Sequence, residues 1–182
     1  GRTSIFDYWG MREHQAWMNN GLFDGGTMSK EARQTFNRYR SLLRLAREEE
    51  CLRAGSFFDL QYAQQPENGY DPGTHFSFIR YTEAEALLVL INFSRRSCQC
   101  RVLIPEHAMQ YLPFGPSDKI EISKVSGEDE HGTLLPGDTL MSRGVDALVG
   151  DEGFAIYRMV KASSVEGHAM GSVSDGPFVP KA

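Results

Sequence analysis

Cysteine is scarce in this sequence, with three in 182 residues. An odd, low count cannot build the disulfide framework that holds many small secreted domains together. Long apolar runs are missing too. The longest, ALLVLI at 86–91, is strand-sized, against the ~20 residues of a membrane-spanning helix. Basic charge is not in excess: 19 Lys and Arg stand against 24 Asp and Glu, a formal net charge of −5. That balance lacks the basic footprint that binds a nucleic-acid backbone. Neither a membrane nor a nucleic acid is therefore expected as a partner. No charged start followed by an apolar stretch and a small-residue cleavage site marks a leader. The first residue is Gly1 rather than Met, which points to processing or to a cut from a longer chain. The compartment stays open between cytoplasm and periplasm.

Catalytic signatures are equally sparse. There is no G-x-S-x-G nucleophile elbow. GLFDGG has glycines without the Lys and the strand–turn–helix setting of a phosphate loop. The histidines (His14, His75, His107, His131, His168) are scattered, and none stands beside a candidate nucleophile. Glu128, Asp129, Glu130 and His131 form a possible metal turn, but a run of charge between glycines reads first as a solvated loop. Cys98 and Cys100, two apart, share one face of a strand. They read as small buried apolar residues, because the sequence shows no further ligands beside them. No cofactor and no metal are expected.

What is present is a globular composition, 41% hydrophobic and 24% charged. The length falls short of a complete eight-stranded α/β barrel, ~250 residues, and exceeds a β-sandwich, ~100 residues. Residues 1–28 have no sustained period beyond a short helical turn around 12–18, and they carry Phe6, Tyr8, Trp9, Trp17 and Phe23. Such a long loop is usually functional. Residues 29–54 predict one helix. Ser29 is its N-cap and Glu31 sits in its first turn. Ala32, Phe36, Tyr39, Leu43 and Ala46 form its apolar stripe, widened by Leu42 and Leu45, and Gly55 stops it. This segment has seven Lys/Arg against four Glu, which read as a solvated face.

From residue 55 the period becomes strand-like. Strands are expected at 57–62, 75–81, 86–93, 98–104, 119–124, 138–142 and 154–160, separated by Gly/Pro turns such as PENGYDPG and PFGPSD. That spacing predicts an antiparallel β-sandwich or barrel. Residues 55–161 carry nine Lys/Arg and fifteen Asp/Glu, so a basic helix lies beside an acidic sheet domain. The Ser/Gly/Pro-rich stretch 162–182 reads as a flexible tail.

Four segments, in order, carry a resemblance: GRTSIFDYW (1–9), WMNNGLFDGG (17–26), LRAGSFFDL (52–60) and FIRYTEAEALLVLINFS (78–94). Together they resemble the C-terminal end of α-amylase family glycoside hydrolases, most closely the Bacteroidetes type. In that family a catalytic α/β barrel is followed by an antiparallel β-sandwich, domain C. The resemblance implies that 1–54 is the last loop and helix of a barrel, 55–161 domain C, and 162–182 a tail. It places the loop aromatics at a glucan cleft, because barrel active sites lie on the loops after the strands. Tyr8 and Trp9 are then the first candidate sugar contacts, with Trp17 and Tyr111 beside them. The family's nucleophile, acid/base and third carboxylate lie on earlier barrel strands, so no residue here is assigned a catalytic role. The implied role is to stabilise the barrel of a retaining α-glucan hydrolase, with that barrel as partner and α-glucan as a further contact. Two other classes fit the same sandwich. A free-standing carbohydrate-binding module would use exposed rings among Tyr70, Tyr111, Phe114 and Tyr157. A structural or interaction β-domain would use none.

Overall fold

The computed structural model describes residues 10–126, 132–150 and 153–163. Its centre is the apolar run noted above. ALLVLI forms strand β3 (Ala86–Asn92), and five consecutive residues of it, Ala86 to Leu90, are buried. A strand reads as continuously apolar when both of its faces are covered, and both faces of β3 are. One face carries Ala86, Leu88 and Leu90 into the main core; the other carries Leu87 and Val89 into a second cluster.

Around it lie β1 (Ser56–Asp59), β2 (His75–Tyr81), β5 (Lys119–Lys124), β6 (Thr133–Pro136) and β8 (Phe154–Lys161). They make a six-stranded sheet in the order β1-β2-β3-β8-β5-β6, with every pairing antiparallel. A second sheet holds only β4 (Cys98–Val102) and β7 (Val145–Val149). Cys100, Val102, Val145, Ala147 and Val149 face Ile79, Leu88, Leu90, Ile120 and Met159 across the sandwich core. The opposite face of the large sheet is covered by helices. This is the mainly β, antiparallel sandwich with a preceding long helix and aromatic-bearing loop that the sequence predicts.

The helices are α1 (Arg12–Met18), α2 (Lys30–Glu48), α3 (Glu50–Ala54), α4 (Glu106–Met109) and α5 (Gly137–Ser142). The Ser29 hydroxyl accepts from Ala32 N–H at 3.1 Å, the expected cap of α2; such a cap contributes about 1 kcal/mol. The single helix expected over 29–54 is broken at Glu49, whose backbone is extended (φ −81, ψ 116). The break turns the Glu49 side chain toward the sheet, where it pairs with Arg158, while Arg158 also meets Glu85 at 3.0 Å. Gly55 ends α3 for a steric reason: a Cβ there would lie 2.5 Å from the Cys51 carbonyl oxygen and 2.7 Å from that of Tyr81.

Other expectations need correction. Residues 138–142 are not a strand but α5, started after Pro136 and ended at Gly144 (φ +84). Only Gly137 and Leu140 of it are buried, the pattern of a helical turn rather than of alternation. The true strand follows as β7, buried at Val145, Ala147 and Val149 and exposed between them. Strand β6 had no sequence prediction at all. Residues 61 and 62, expected to extend β1, fall in a 3-10 turn over Gln61–Ala63. The stripe of α2 is also turned. Leu45 packs on the sheet beside Leu87 and Ile156, whereas Phe36, Tyr39 and Leu43 are 40%, 63% and 67% exposed. Of the rings offered for a carbohydrate-binding face, Tyr70, Phe114 and Tyr157 are buried. Cys100 is buried as expected, while Cys98 is only half-buried.

Candidate functional site

Tyr111 is the one ring of that set left in the open, 50% exposed. It follows α4, whose N-terminal neighbour Pro105 fixes the entry to the turn. Its ring packs on Phe58 at 5.6 Å and on His107 at 5.6 Å, and His107 meets Phe58 edge-on at 5.5 Å. The three rings hold one another in place, so Tyr111 presents a fixed edge and hydroxyl. Beside it lies an open cleft of about 500 Å³, lined by Tyr111, Pro113, Tyr81, Thr82, Glu83 and Ser56 among others. Two tyrosines, two hydroxyls and a carboxylate suit a sugar, which offers apolar C–H faces to rings and hydroxyls to polar groups.

Trp17 belongs to a different cluster. It is half-buried on α1, with His14 at 5.9 Å and Phe23 edge-on at 5.5 Å. The segment around it is a tied knot. Gly25 N–H donates to the Trp17 carbonyl at 2.9 Å, and the Thr27 hydroxyl donates to that of Ala16 at 3.0 Å. The Asp24 carboxylate accepts from the Asn19 amide and from Gly26 N–H, both at 2.8 Å, and these bonds hold its pKa below the usual carboxylate range. The Arg33 guanidinium, reaching from α2, donates to the Gly25 carbonyl. Trp17 therefore anchors this loop. Tyr8 and Trp9 lie outside the described residues, as do Glu128, Asp129, Glu130, His131 and His168.

Along α2 runs a wider groove, about 1000 Å³, between Thr35, Tyr39 and Leu42 on the helix and Ile91, Phe93 and Phe154 on the sheet. With Phe36 and Leu43 it leaves one side of the molecule apolar and open.

One grouping has no continuous sequence signature. His75, the first residue of β2, is buried, and its Nδ1 accepts from Asp71 N–H at 3.0 Å. The Asp71 carboxylate itself accepts from Gly73 N–H at 2.9 Å and from the Thr74 hydroxyl at 2.8 Å. The Tyr70 ring stands edge-on to the imidazole at 5.3 Å. Burial holds the His75 pKa below its ordinary value. Its ligand nitrogen and the sulfurs of Cys98 and Cys100 all lie within 4.8 Å of one another. Burial raises the Cys98 thiol pKa and pushes that of Cys100 up to about 12. The cysteines were legible as a same-face pair; the third donor comes from another strand, some two dozen residues earlier, and only folding brings it in.

The class defined by this geometry is a helix-covered antiparallel β-sandwich with an aromatic cleft and an uncovered apolar flank. No protein-family model and no curated protein sequence matches the chain. Among solved structures it is similar to α-amylase family glycoside hydrolases at low identity and partial coverage. AmyP, solved in complex with maltose, is 12% identical over 80% of this chain and 24% of its own, with a TM-score of 0.50. The α-amylase of Geobacillus thermoleovorans is 17% identical over 77% of this chain and 26% of its own, at 0.47. The isomaltulose synthase of Erwinia rhapontici is 17% identical over 78% and 23%, at 0.43. The chain thus spans about a quarter of the length of each of these proteins. The likeness concerns the fold.

Proposed function

We propose that this chain is the C-terminal portion of an α-amylase-type glycoside hydrolase and that its role is to brace the catalytic barrel. In this reading 1–54 supplies the barrel's last loop and helix, 55–161 is domain C, and 162–182 is its tail. The carrying observation is the two-sided apolar character of α2. Leu45 sits on the sheet, while Phe36, Tyr39 and Leu43 face outward. A helix apolar on both sides belongs between two layers, and one layer is the sandwich. The fold likeness to AmyP supports the choice of family. The chain itself contributes no catalytic carboxylate, and the parent would be a retaining α-glucan hydrolase.

The test is to express the chain fused to the barrel encoded upstream, with and without the combined substitutions Phe36→Ser, Tyr39→Ser and Leu43→Ser. The expected result is a fused enzyme that loses thermal stability while the separate chain keeps its own unfolding midpoint. Equal midpoints for the two fused proteins would sink the proposal.

The Tyr111 cleft favours a second reading, a sandwich that also holds glucan. Tyr8, Trp9 and Trp17 extend that proposal to the loop. Retardation of the chain in a native gel containing starch, abolished by Tyr111→Ala, is its expected signature. Migration unaffected by starch removes it.

A further inference from the structure

We propose that His75, Cys98 and Cys100 form a binding site for one zinc ion, which fastens the two sheets together. The donors come from the first residues of β2 and β4 and from Cys100, the third residue of β4. β2 belongs to the large sheet and β4 to the small one, so an ion held here bridges the layers of the sandwich.

The donor set selects the ion. Two sulfurs and an imidazole, with no carboxylate among them, suit a soft or borderline cation rather than calcium or magnesium. Zinc binds sulfur at about 2.3 Å and imidazole at about 2.0 Å, so its tetrahedral donors stand roughly 3.5–4 Å apart. The three atoms already lie within 4.8 Å, and a modest side-chain rotation closes the set. Cys98 has the freedom to do this, being half-buried at the start of its strand. Charge agrees as well. Two thiolates balance one divalent cation, and a neutral assembly is what a buried position favours. The thiols release their protons to solvent on binding. Three protein donors leave a fourth position, open to water from the Cys98 side.

The histidine imposes a specific consequence. Asp71 N–H now donates to Nδ1, which fixes the neutral ring with its proton on Nε2. An ion on Nδ1 replaces the Asp71 hydrogen. An ion on Nε2 moves the ring proton to Nδ1, where it opposes that hydrogen. Either way the Asp71 contact is released, and the Asp71 amide reports it.

The test uses the whole chain, reduced and stripped with a chelator, titrated with Zn(II) and separately with Co(II). The expected outcome is one equivalent bound, a sulfur-to-cobalt charge-transfer absorption, and a shifted Asp71 amide resonance. Cys98→Ser weakens binding on the order of 100-fold or more and removes part of the absorption. Cys51→Ala, the control at the remaining cysteine, leaves both unchanged. Cys98 carries the test because its half-exposed position tolerates serine; Cys100→Ser and His75→Gln serve where they fold. No absorption, or an absorption that survives Cys98→Ser with the Asp71 amide unmoved, overturns the proposal and leaves the cysteines as core residues.

Discussion

Asn92 does more than its place at the end of β3 suggests. It is buried, and its amide donates to the carbonyls of Arg96 at 2.7 Å and Gly150 at 2.9 Å. Its oxygen accepts from Ser94 N–H at 2.9 Å. One side chain thus closes the β3–β4 turn and ties it to the end of β7. Asn92→Ala removes three part-buried hydrogen bonds whose backbone partners can turn to water, and a loss of about 1–2 kcal/mol is expected in urea unfolding. Two other buried groups set an alkaline limit. The Tyr70 hydroxyl bonds Gln61 and Ser77, and burial raises its pKa from 10.0 to about 12. Cys100 rises from 9.0 to about 12. Both are acids that ionise later in the folded chain than in the unfolded one. The unfolded state therefore loses its protons first, and stability falls as pH rises from about 9 toward 12. Urea midpoints of the metal-free chain, measured from pH 7 to 11, are expected to drop above about 9, less steeply in Cys100→Ala. At this scale the sequence was partly legible. Two prolines flank the stretch that holds Tyr111 and Phe114, yet only Tyr111 is exposed. Nothing local separates it from Tyr70, Phe114 or Tyr157, since their burial depends on what lies across the sandwich.

Among the elements, the junction of α2 and α3 holds a polar contact that spans much of the sequence. Arg158 on β8 pairs with Glu49 at the helix break and with Glu85 before β3. The Glu49 side chain is only 14% exposed. Removing the guanidinium leaves two carboxylates facing each other in a poorly hydrated place. Arg158→Ala is expected to cost about 2–3 kcal/mol, toward the lower end because Arg158 itself keeps 35% exposure. Arg44→Ala, which breaks an exposed pair with Glu48, should change stability by no more than about 0.5 kcal/mol. Denaturant titration of the two variants separates these outcomes. The strands at 75–81 and 119–124 were read to the residue, because alternation and bounding turns agree there. The helix break was not, because Glu48, Glu49 and Glu50 look alike in sequence and only the partner of Glu49 differs. α5 was misread for a related reason: a six-residue segment is too short for its period to declare itself.

For the whole molecule, the layering explains both what was readable and what remains uncovered. A run such as ALLVLI announces a strand covered on both faces, and the helices are the second cover. Of the α2 stripe, Leu45 is the residue that packs with Leu87 and Ile156 of the sheet. The result is an apolar flank of Phe36, Tyr39 and Leu43. Isolated from any partner, the chain should self-associate with rising concentration, and Tyr39→Ser with Leu43→Ser should suppress this in sedimentation equilibrium. The sheet itself is closed to a different hazard. Its outermost strands, β1 and β6, have four residues each, and β6 ends on Pro136. A short edge with a proline offers few free backbone groups for another strand to add to. Association through this sheet should therefore stay a reversible meeting of side chains. Its edges should seed no cross-β signal, even where the helix flank is left bare.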